Sequence, residues 1–282
     1  MLIITDSASD ITSIEAKEMG IEVVPLSIMF GEDNLKMETE EDFNYFFDRL
    51  ATEEELPKTS QPSPEVFLNL YKSAEERQEE VLVITLSSGL SGTYNSACLA
   101  QELSGYDKIH VVDSKNAIQS QRFLVERAVD LRDSGKSVAQ IEASMLDLRE
   151  RVFVGGVLDT LTYLAKGGRM PKTIASVGNI LNLKPVIECR NKVLVMLGIS
   201  RGRKGGKKIL WKQFEKFEKD PEEFVYFGYT RNRELGQEFM RETVQKYGIK
   251  KYCLTPIGGV IGTHVGANGL ALCFLRKEKV AY

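Results

Sequence analysis

One stretch constrains this chain more than any other. Val81-Leu-Val-Ile-Thr-Leu-Ser-Ser-Gly-Leu-Ser-Gly-Thr-Tyr-Asn-Ser-Ala97 reads as a strand, a tight turn and the start of a helix. Val81 to Leu86 is almost wholly apolar and β-rich, the pattern of a strand buried on both faces of a parallel sheet. Ser87, Ser88, Gly89, Leu90, Ser91 and Gly92 follow, and apolar residues resume at helical spacing from Thr93 to Leu103. A turn that ends on a helix amino terminus exposes unpaired N–H groups and the positive end of the helix dipole, which suits an anion. In an open α/β sheet, ligands sit beyond the carboxyl ends of the strands. Serine and glycine are also ordinary turn and cap residues. Alone, the turn leaves an anion cradle and a plain connection both open.

The same grammar recurs around it. Met1 to Thr5 is an apolar strand, Asp6-Ser7-Ala8-Ser9-Asp10 a polar turn, and Thr12 to Met19 a helix. Ile21 to Phe30 reads as one extended segment and Gly31 to Asn34 as a turn. Thr39 caps a helix whose Phe43, Phe46, Phe47 and Leu50 share one face. Leu56 to Pro64 is a stiff polar connection, because each proline fixes φ and disfavours helix before it. Ser63 and Pro64 then open a helix. Ile109 to Val112 is a further strand, Ile118 to Ser134 an amphipathic helix, and Ser137 to Arg151 a helix opened by a Ser137–Gln140 capping box. Alternating strand and helix predict a mostly parallel sheet with flanking helices over residues 1–151.

From Val152 the rhythm changes. Val152 to Leu158 is a strand, and Thr160 to Ala165 and Ile174 to Leu183 are short helices split by Lys166-Gly-Gly-Arg-Met-Pro-Lys172. Pro185 to Cys189 and Lys192 to Ile199 form a hairpin about Arg190-Asn191. Arg201 to Lys208 reads as a basic, glycine-rich loop before a helix running to about Lys219. A strand over Phe224 to Thr230, a helix over Glu234 to Tyr247, and strands at Lys251 to Leu254 and Leu270 to Leu275 complete the pattern. The expectation is an α/β protein of two domains, 1–151 and 152–282, the second with a mixed sheet.

Several function classes fall away. The chain has 282 residues, 43% hydrophobic and 27% charged, with no apolar run long enough to span a bilayer and no charged-then-apolar leader, so a cytoplasmic protein is expected. A net charge of −3 argues against a dedicated nucleic-acid binder. Cys98, Cys189, Cys253 and Cys273 are isolated, and with only His110 and His264 no metal site is expected. Gly202-Arg-Lys-Gly-Gly-Lys-Lys208 fails as a phosphate loop: its glycines are one residue too close, and Lys208 stands where Ser or Thr would bind magnesium. No G-x-G-x-x-G follows the first strand.

What remains is a set of hydroxyls, one histidine and two basic segments. Thr59 and Ser60 stand just ahead of a helix amino terminus, as capping residues or ligand contacts. His264 lies in Gly258-Gly-Val-Ile-Gly-Thr-His-Val-Gly266, a run too glycine-rich for regular structure; its imidazole is either a structural group or a carboxylate contact. Lys166, Arg169 and Lys172, with Arg201, Arg203, Lys204, Lys207 and Lys208, make either solvated faces or an anion or docking surface.

Taken together, Ile3-Ile-Thr-Asp-Ser-Ala-Ser-Asp10, Lys58-Thr-Ser-Gln-Pro-Ser63, Ser87-Ser-Gly-Leu-Ser-Gly-Thr-Tyr94, Val112-Asp-Ser114, Lys166-Gly-Gly-Arg169 and Gly262-Thr-His-Val-Gly-Ala-Asn-Gly269 resemble the DegV family. These motifs run in the family order over essentially the whole length. The resemblance implies the two-domain DegV-like fold and one long-chain fatty acid buried between the domains. It further implies a non-enzymatic subunit of a bacterial fatty acid kinase. A separate ATP-binding subunit phosphorylates the presented carboxylate, and the acyl phosphate feeds phospholipid synthesis. By position, Thr59, Ser91 and His264 would hold the carboxylate, with Ser60 and Thr93 beside them. Arg169 and Arg201 or Arg203 would face the kinase subunit, and the basic segments also permit transient membrane contact. No catalytic residue, cofactor or metal is implied. On this reading neutral hydroxyls and imidazole orient the head group without a buried arginine fork. The rival is an enzyme: a phosphotransferase using His264 as acceptor or a lipid hydrolase using Ser91. A regulatory module acting through the basic segments is a third reading.

Overall fold

The computed structural model describes residues 1–53, 55–170, 183–220 and 222–280. In chain order the first half comprises β1 (Leu2–Asp6), α1 (Ser13–Met19), β2 (Ile21–Val24), β3 (Ser27–Phe30), β4 (Asp33–Asn34), α2 (Glu40–Thr52), β5 (Lys58–Ser60), α3 (Pro64–Glu76), β6 (Val81–Thr85), α4 (Thr93–Ser104), β7 (Ile109–Asp113), α5 (Ile118–Asp133) and α6 (Val138–Arg151). The second comprises β8 (Val152–Val157), α7 (Thr162–Lys166), β9 (Leu183–Arg190), β10 (Val193–Arg201), α8 (Gly202–Lys216), β11 (Val225–Tyr229), α9 (Arg233–Tyr247), β12 (Tyr252–Pro256), α10 (Gly259–Val265) and β13 (Leu270–Leu275). The sequence-expected helix over Ile174 to Leu183 falls almost wholly outside the described residues. No helix among the described residues is long and apolar enough to cross a membrane.

A parallel four-stranded sheet in the order β2-β1-β6-β7 carries the first half, and a mixed six-stranded sheet in the order β10-β9-β8-β13-β11-β12 the second. The period-two alternation of each strand decides what lies on either face. In the parallel sheet, Ile4, Val81 and Val83 face Phe67 and Tyr71 of α3. Ile3, Leu82 and Ile84 face the other way, toward α5. In the mixed sheet, Ala271, Cys273 and Leu275 join that same core. Leu270, Leu272 and Phe274 meet α8 and α9 through Phe214 and Phe239. One central layer is therefore shared by both sheets, and α5 is its spine.

This placement corrects the amphipathic reading of α5. Residues Ile118 to Val125 are buried without interruption, because sheets cover both sides of the helix. Its polar residues find partners inside: Gln121 donates to Thr5 and Asp6 at 3.1 Å each, although its own amide oxygen has no partner among the described residues, and Arg122 pairs with Glu15 at 2.6 Å and Glu126 at 2.7 Å. Pro25 likewise splits the expected extended segment in two, and β3 leaves the parallel sheet to join β4 and β5 in a small antiparallel one. The expected proline-rich connection thus contains a strand, β5, paired with β3 in the register Ile28 to Thr59.

Two glycine-rich segments expected to be irregular are helical. Gly202 to Lys208 forms the first turns of α8, where a Cβ on Gly206 would stand 2.5 Å from Val157. Gly259 to Val265 forms α10, where a Cβ on Gly259 would stand 2.8 Å from Ile28 and one on Gly262 2.9 Å from Phe47. In both, glycine permits close packing at a helix-propensity cost of about 1 kcal/mol each. The β9–β10 hairpin turns one residue later than expected, on Asn191 and Lys192, both with positive φ (47° and 75°), the geometry that matches strand twist. α6 ends at Arg151 and β8 begins at Val152, so the proposed division into 1–151 and 152–282 lies at a junction with no linker. α10 nevertheless contacts α2, β3 and β5, inserting a second-half helix into the first half.

Candidate functional site

Between the two sheets lies a cavity of about 280 Å³. Its walls are mostly apolar, with Leu26, Leu90, Ile118, Val154, Ile187 and Ile261 among them, and Gly155, Gly156 and Gly269 contribute no side chain. Thr59, Ser60, Ser91, His264 and Arg169 line it as well, so its polar groups come from β5, the turn after β6, α10 and the segment after α7. Ligand sites of this kind combine an apolar body with a few polar groups that fix orientation.

The polar cluster is tightly specified. Thr59 Oγ1 and His264 Nε2 lie 3.0 Å apart across 205 residues of sequence. Ser91 Oγ lies 2.9 Å from Thr93 Oγ1 and accepts from the Thr93 N–H at 3.4 Å. Thr93 itself is fully buried and stands outside the cavity wall, while Ser60 is exposed at its edge. Burial, helped by the nearby Arg169 charge, pushes the His264 imidazole down to about 4, so at neutral pH it is uncharged. Its Nδ1 is buried without a hydrogen-bond partner among the described residues, and a Cβ on Gly167 would stand 2.3 Å from it. The Gly-Gly pair of the Lys166 to Arg169 segment is thus needed partly to make room for the ring.

The three serines of the opening turn divide by role. Ser87 donates to the Lys192 carbonyl at 2.8 Å, and Ser88 to Asp113 Oδ2 at 2.6 Å, which Lys192 Nζ also meets at 3.0 Å. A Cβ on Gly89 would stand 2.3 Å from the Lys192 carbonyl oxygen. The hairpin tip therefore occupies the first part of the turn, and of its serines only Ser91 faces the cavity.

The basic residues also separate. Arg169, expected from its residue type as an anion or docking contact and from the resemblance as a docking residue, is partly buried in the cavity wall; its Nε donates to the Leu90 carbonyl at 3.1 Å and one terminal nitrogen to the Gly167 carbonyl at 2.7 Å. Hence a guanidinium does stand near the Thr59–His264 pair. Arg203 donates to Asp159 at 2.8 Å, Lys184 meets the same carboxylate at 2.9 Å, and Arg201 is exposed. Lys207 is buried against Glu238 and Glu242 and belongs to the α8–α9 packing. Lys172 lies outside the described residues. Gln61, which sequence reading passed over, also lines the cavity; it donates to Ser96 at 2.9 Å and lies so close to Gly92 that a Cβ there would overlap it. Its sequence signals were Gly92, which makes room for it, and its place in the Lys58 to Ser63 motif.

Comparisons with known proteins converge. The model of the DegV family, described as uncharacterised proteins, matches residues 1–277. The chain is 31% identical to the DegV domain-containing protein YteA of Lactococcus lactis over 98% of each chain. It is similar to a stearic acid-binding protein from Eubacterium ventriosum, at 28% identity and TM-score 0.87 over 98% of each chain. It is also similar to a fatty-acid-binding DegV family protein from Thermus thermophilus, at 28% identity and TM-score 0.88, over 98% of this chain and 99% of that one.

Proposed function

This chain belongs to the DegV family, and from that premise we propose that it binds one long-chain fatty acid in the inter-sheet cavity. The carboxylate would meet Thr59, Ser91 and His264, with Ser60 and Thr93 as supporting hydroxyls. The observation that carries the reading is a mostly apolar cavity whose polar groups include a hydroxyl–imidazole pair and a second hydroxyl. Burying about 16 carbons at ~0.8 kcal/mol per methylene offers on the order of 10 kcal/mol before entropy costs, so the tail supplies affinity and the head group orientation.

The pairing favours binding over hydrolysis. A serine nucleophile needs its base within hydrogen-bond reach, yet Ser91 bonds Thr93 while His264 bonds Thr59. We further propose that the protein is no enzyme itself but presents the carboxylate to a separate ATP-binding kinase subunit. A carboxylate oxygen would there attack the terminal phosphorus of ATP as its bond to ADP breaks, so that acyl phosphate forms for phospholipid synthesis in the cytoplasm and ADP leaves. Arg201, Arg203 and the segment bearing Arg169 are the proposed docking residues, and the same positive charge would support transient contact with a membrane. Solvent extraction of the cell-purified protein followed by mass spectrometry tests the binding reading. About one fatty acid per chain is expected, and recovery of none would overturn it.

A further inference from the structure

Asp10 is an expensive residue that the head-group reading leaves unused. Its φ is +57°, a left-handed conformation that few residues other than glycine, Asn and Asp adopt readily. Its Oδ2 is buried without a hydrogen-bond partner among the described residues. Burial pushes the carboxyl up to about 7, against the pull of the Gly258 N–H and the Arg122 charge, with Glu15 and Asp6 adding to the rise. Two costs thus converge on its side chain.

What it supplies is a single bond across the fold. Asp10 Oδ1 accepts from the Gly258 N–H at 2.9 Å, over 248 residues of sequence. Gly258 is the N-cap of α10 and has no side chain to cap it; a Cβ there would stand 2.8 Å from Asp10 Oδ1. α10 is a poor helix by itself, only 7 residues long and carrying Gly259 and Gly262, so outside ties must hold it. Asp10 is itself held to the central layer, since Arg122 donates to its carbonyl at 3.3 Å while paired with Glu15 and Glu126. Six residues beyond Gly258, about 9 Å along the helix axis, His264 meets Thr59.

We infer that Asp10 is the positioning residue of the head-group site: its bond to Gly258 sets where α10 begins, and so where the His264 imidazole stands against Thr59. The inference rests on the fatty-acid reading above. It assigns Asp10 no contact with the ligand, and so separates it from Thr59, Ser91 and His264.

The test measures affinities of the delipidated full-length protein for oleate and for methyl oleate, which share a tail and differ at the head. Asp10→Gly suits the left-handed backbone and removes the acceptor; Asp10→Asn suits it and keeps one. Asp10→Gly is expected to lower the preference for oleate about tenfold, the scale of one buried hydrogen bond, and to leave methyl oleate affinity unchanged. Asp10→Asn is expected to restore most of the preference. In a His264→Ala background, Asp10→Gly is expected to add nothing. Equal loss for both ligands, or a full effect that persists without His264, would overturn the inference while leaving the fatty-acid reading standing. A His264→Ala protein with undiminished preference for oleate would overturn the inference together with the assignment of His264 to the carboxylate. Should Asp10→Gly fail to fold, Asp10→Ser, whose hydroxyl stops short of Gly258, takes its place under the same outcomes.

Discussion

Gly262→Ala sets two opposing effects against each other on the helix that carries His264. Alanine favours helix over glycine by about 1 kcal/mol, so an exposed Gly262 would gain from the change. Here the new Cβ would stand 2.9 Å and 3.2 Å from two atoms of the Phe47 ring and 3.0 Å from the Phe46 ring. Neither ring has room to yield. Both are fully buried, they pack edge-to-face at 4.9 Å, and Phe46 is held edge-on by Phe30 at 5.8 Å. Relief to ordinary contact needs roughly half an ångström of helix displacement, and overpacking of this kind costs about 1–3 kcal/mol. The net effect should be a loss of up to about 2 kcal/mol, lowering the melting temperature of ligand-free protein by up to a few degrees. The same shift would stretch the Thr59–His264 contact from 3.0 Å toward the limit of a hydrogen bond, so preference for oleate over methyl oleate should fall too. Thermal melts and the paired affinities check both. A variant that melts at or above the parent with unchanged preference would refute the view that α10 is wedged by its glycines.

Acid should expose the buried imidazole. The His264 imidazole lies near 4 when folded and 6.5 when free, so between those values only the unfolded chain takes up its proton. Stability from this group is complete above pH 6.5 and falls as pH drops toward 4, by about 2–3 kcal/mol. Asp6 and Asp10, raised to about 6 and about 7, act in the opposite sense because the folded state protonates first. The difference between parent and His264→Gln in urea melts at neutral and acid pH isolates the histidine, and parallel pH profiles would count against its burial. Ser87→Ala should cost about 1 kcal/mol through the lost bond to the Lys192 carbonyl yet leave ligand preference intact, whereas Ser91→Ala should lower that preference at little cost in stability. Swapped outcomes would mean that the roles of the two hydroxyls are misassigned.

How much of this was legible depended on whether a residue's neighbours were local. β1, β6 and β7 were readable because burial on both faces leaves short apolar runs, and the Ser137–Gln140 cap was readable because both partners lie within one turn. α5 was misread because its Gln119, Gln121 and Arg122 look like a solvated face, yet β1 takes Gln121, Glu15 of α1 takes Arg122, and Thr255 of the second sheet takes Gln119. β5 had no pattern to read, since its polar residues pair with β3 through the backbone alone.

The site divides along the same line. The density of hydroxyls in the turn after β6 marked the region, but nothing local distinguishes Ser91 from Ser87; the distinction is made by a hairpin tip 105 residues away. Thr59, Ser91 and His264 were grouped by family resemblance, whereas local spacing offered each a structural role as readily. The glycines around His264 misled most, because the freedom that breaks a helix in isolation is what lets α10 sit against Phe46 and Phe47. A helix so poor in propensity holds its place only through what touches it: the aromatic stripe of α2 along its length, Asp10 at its start, and α7 with the Gly167 segment beside the imidazole. The position of the imidazole is therefore set from both halves of the fold, although His264 belongs to the second.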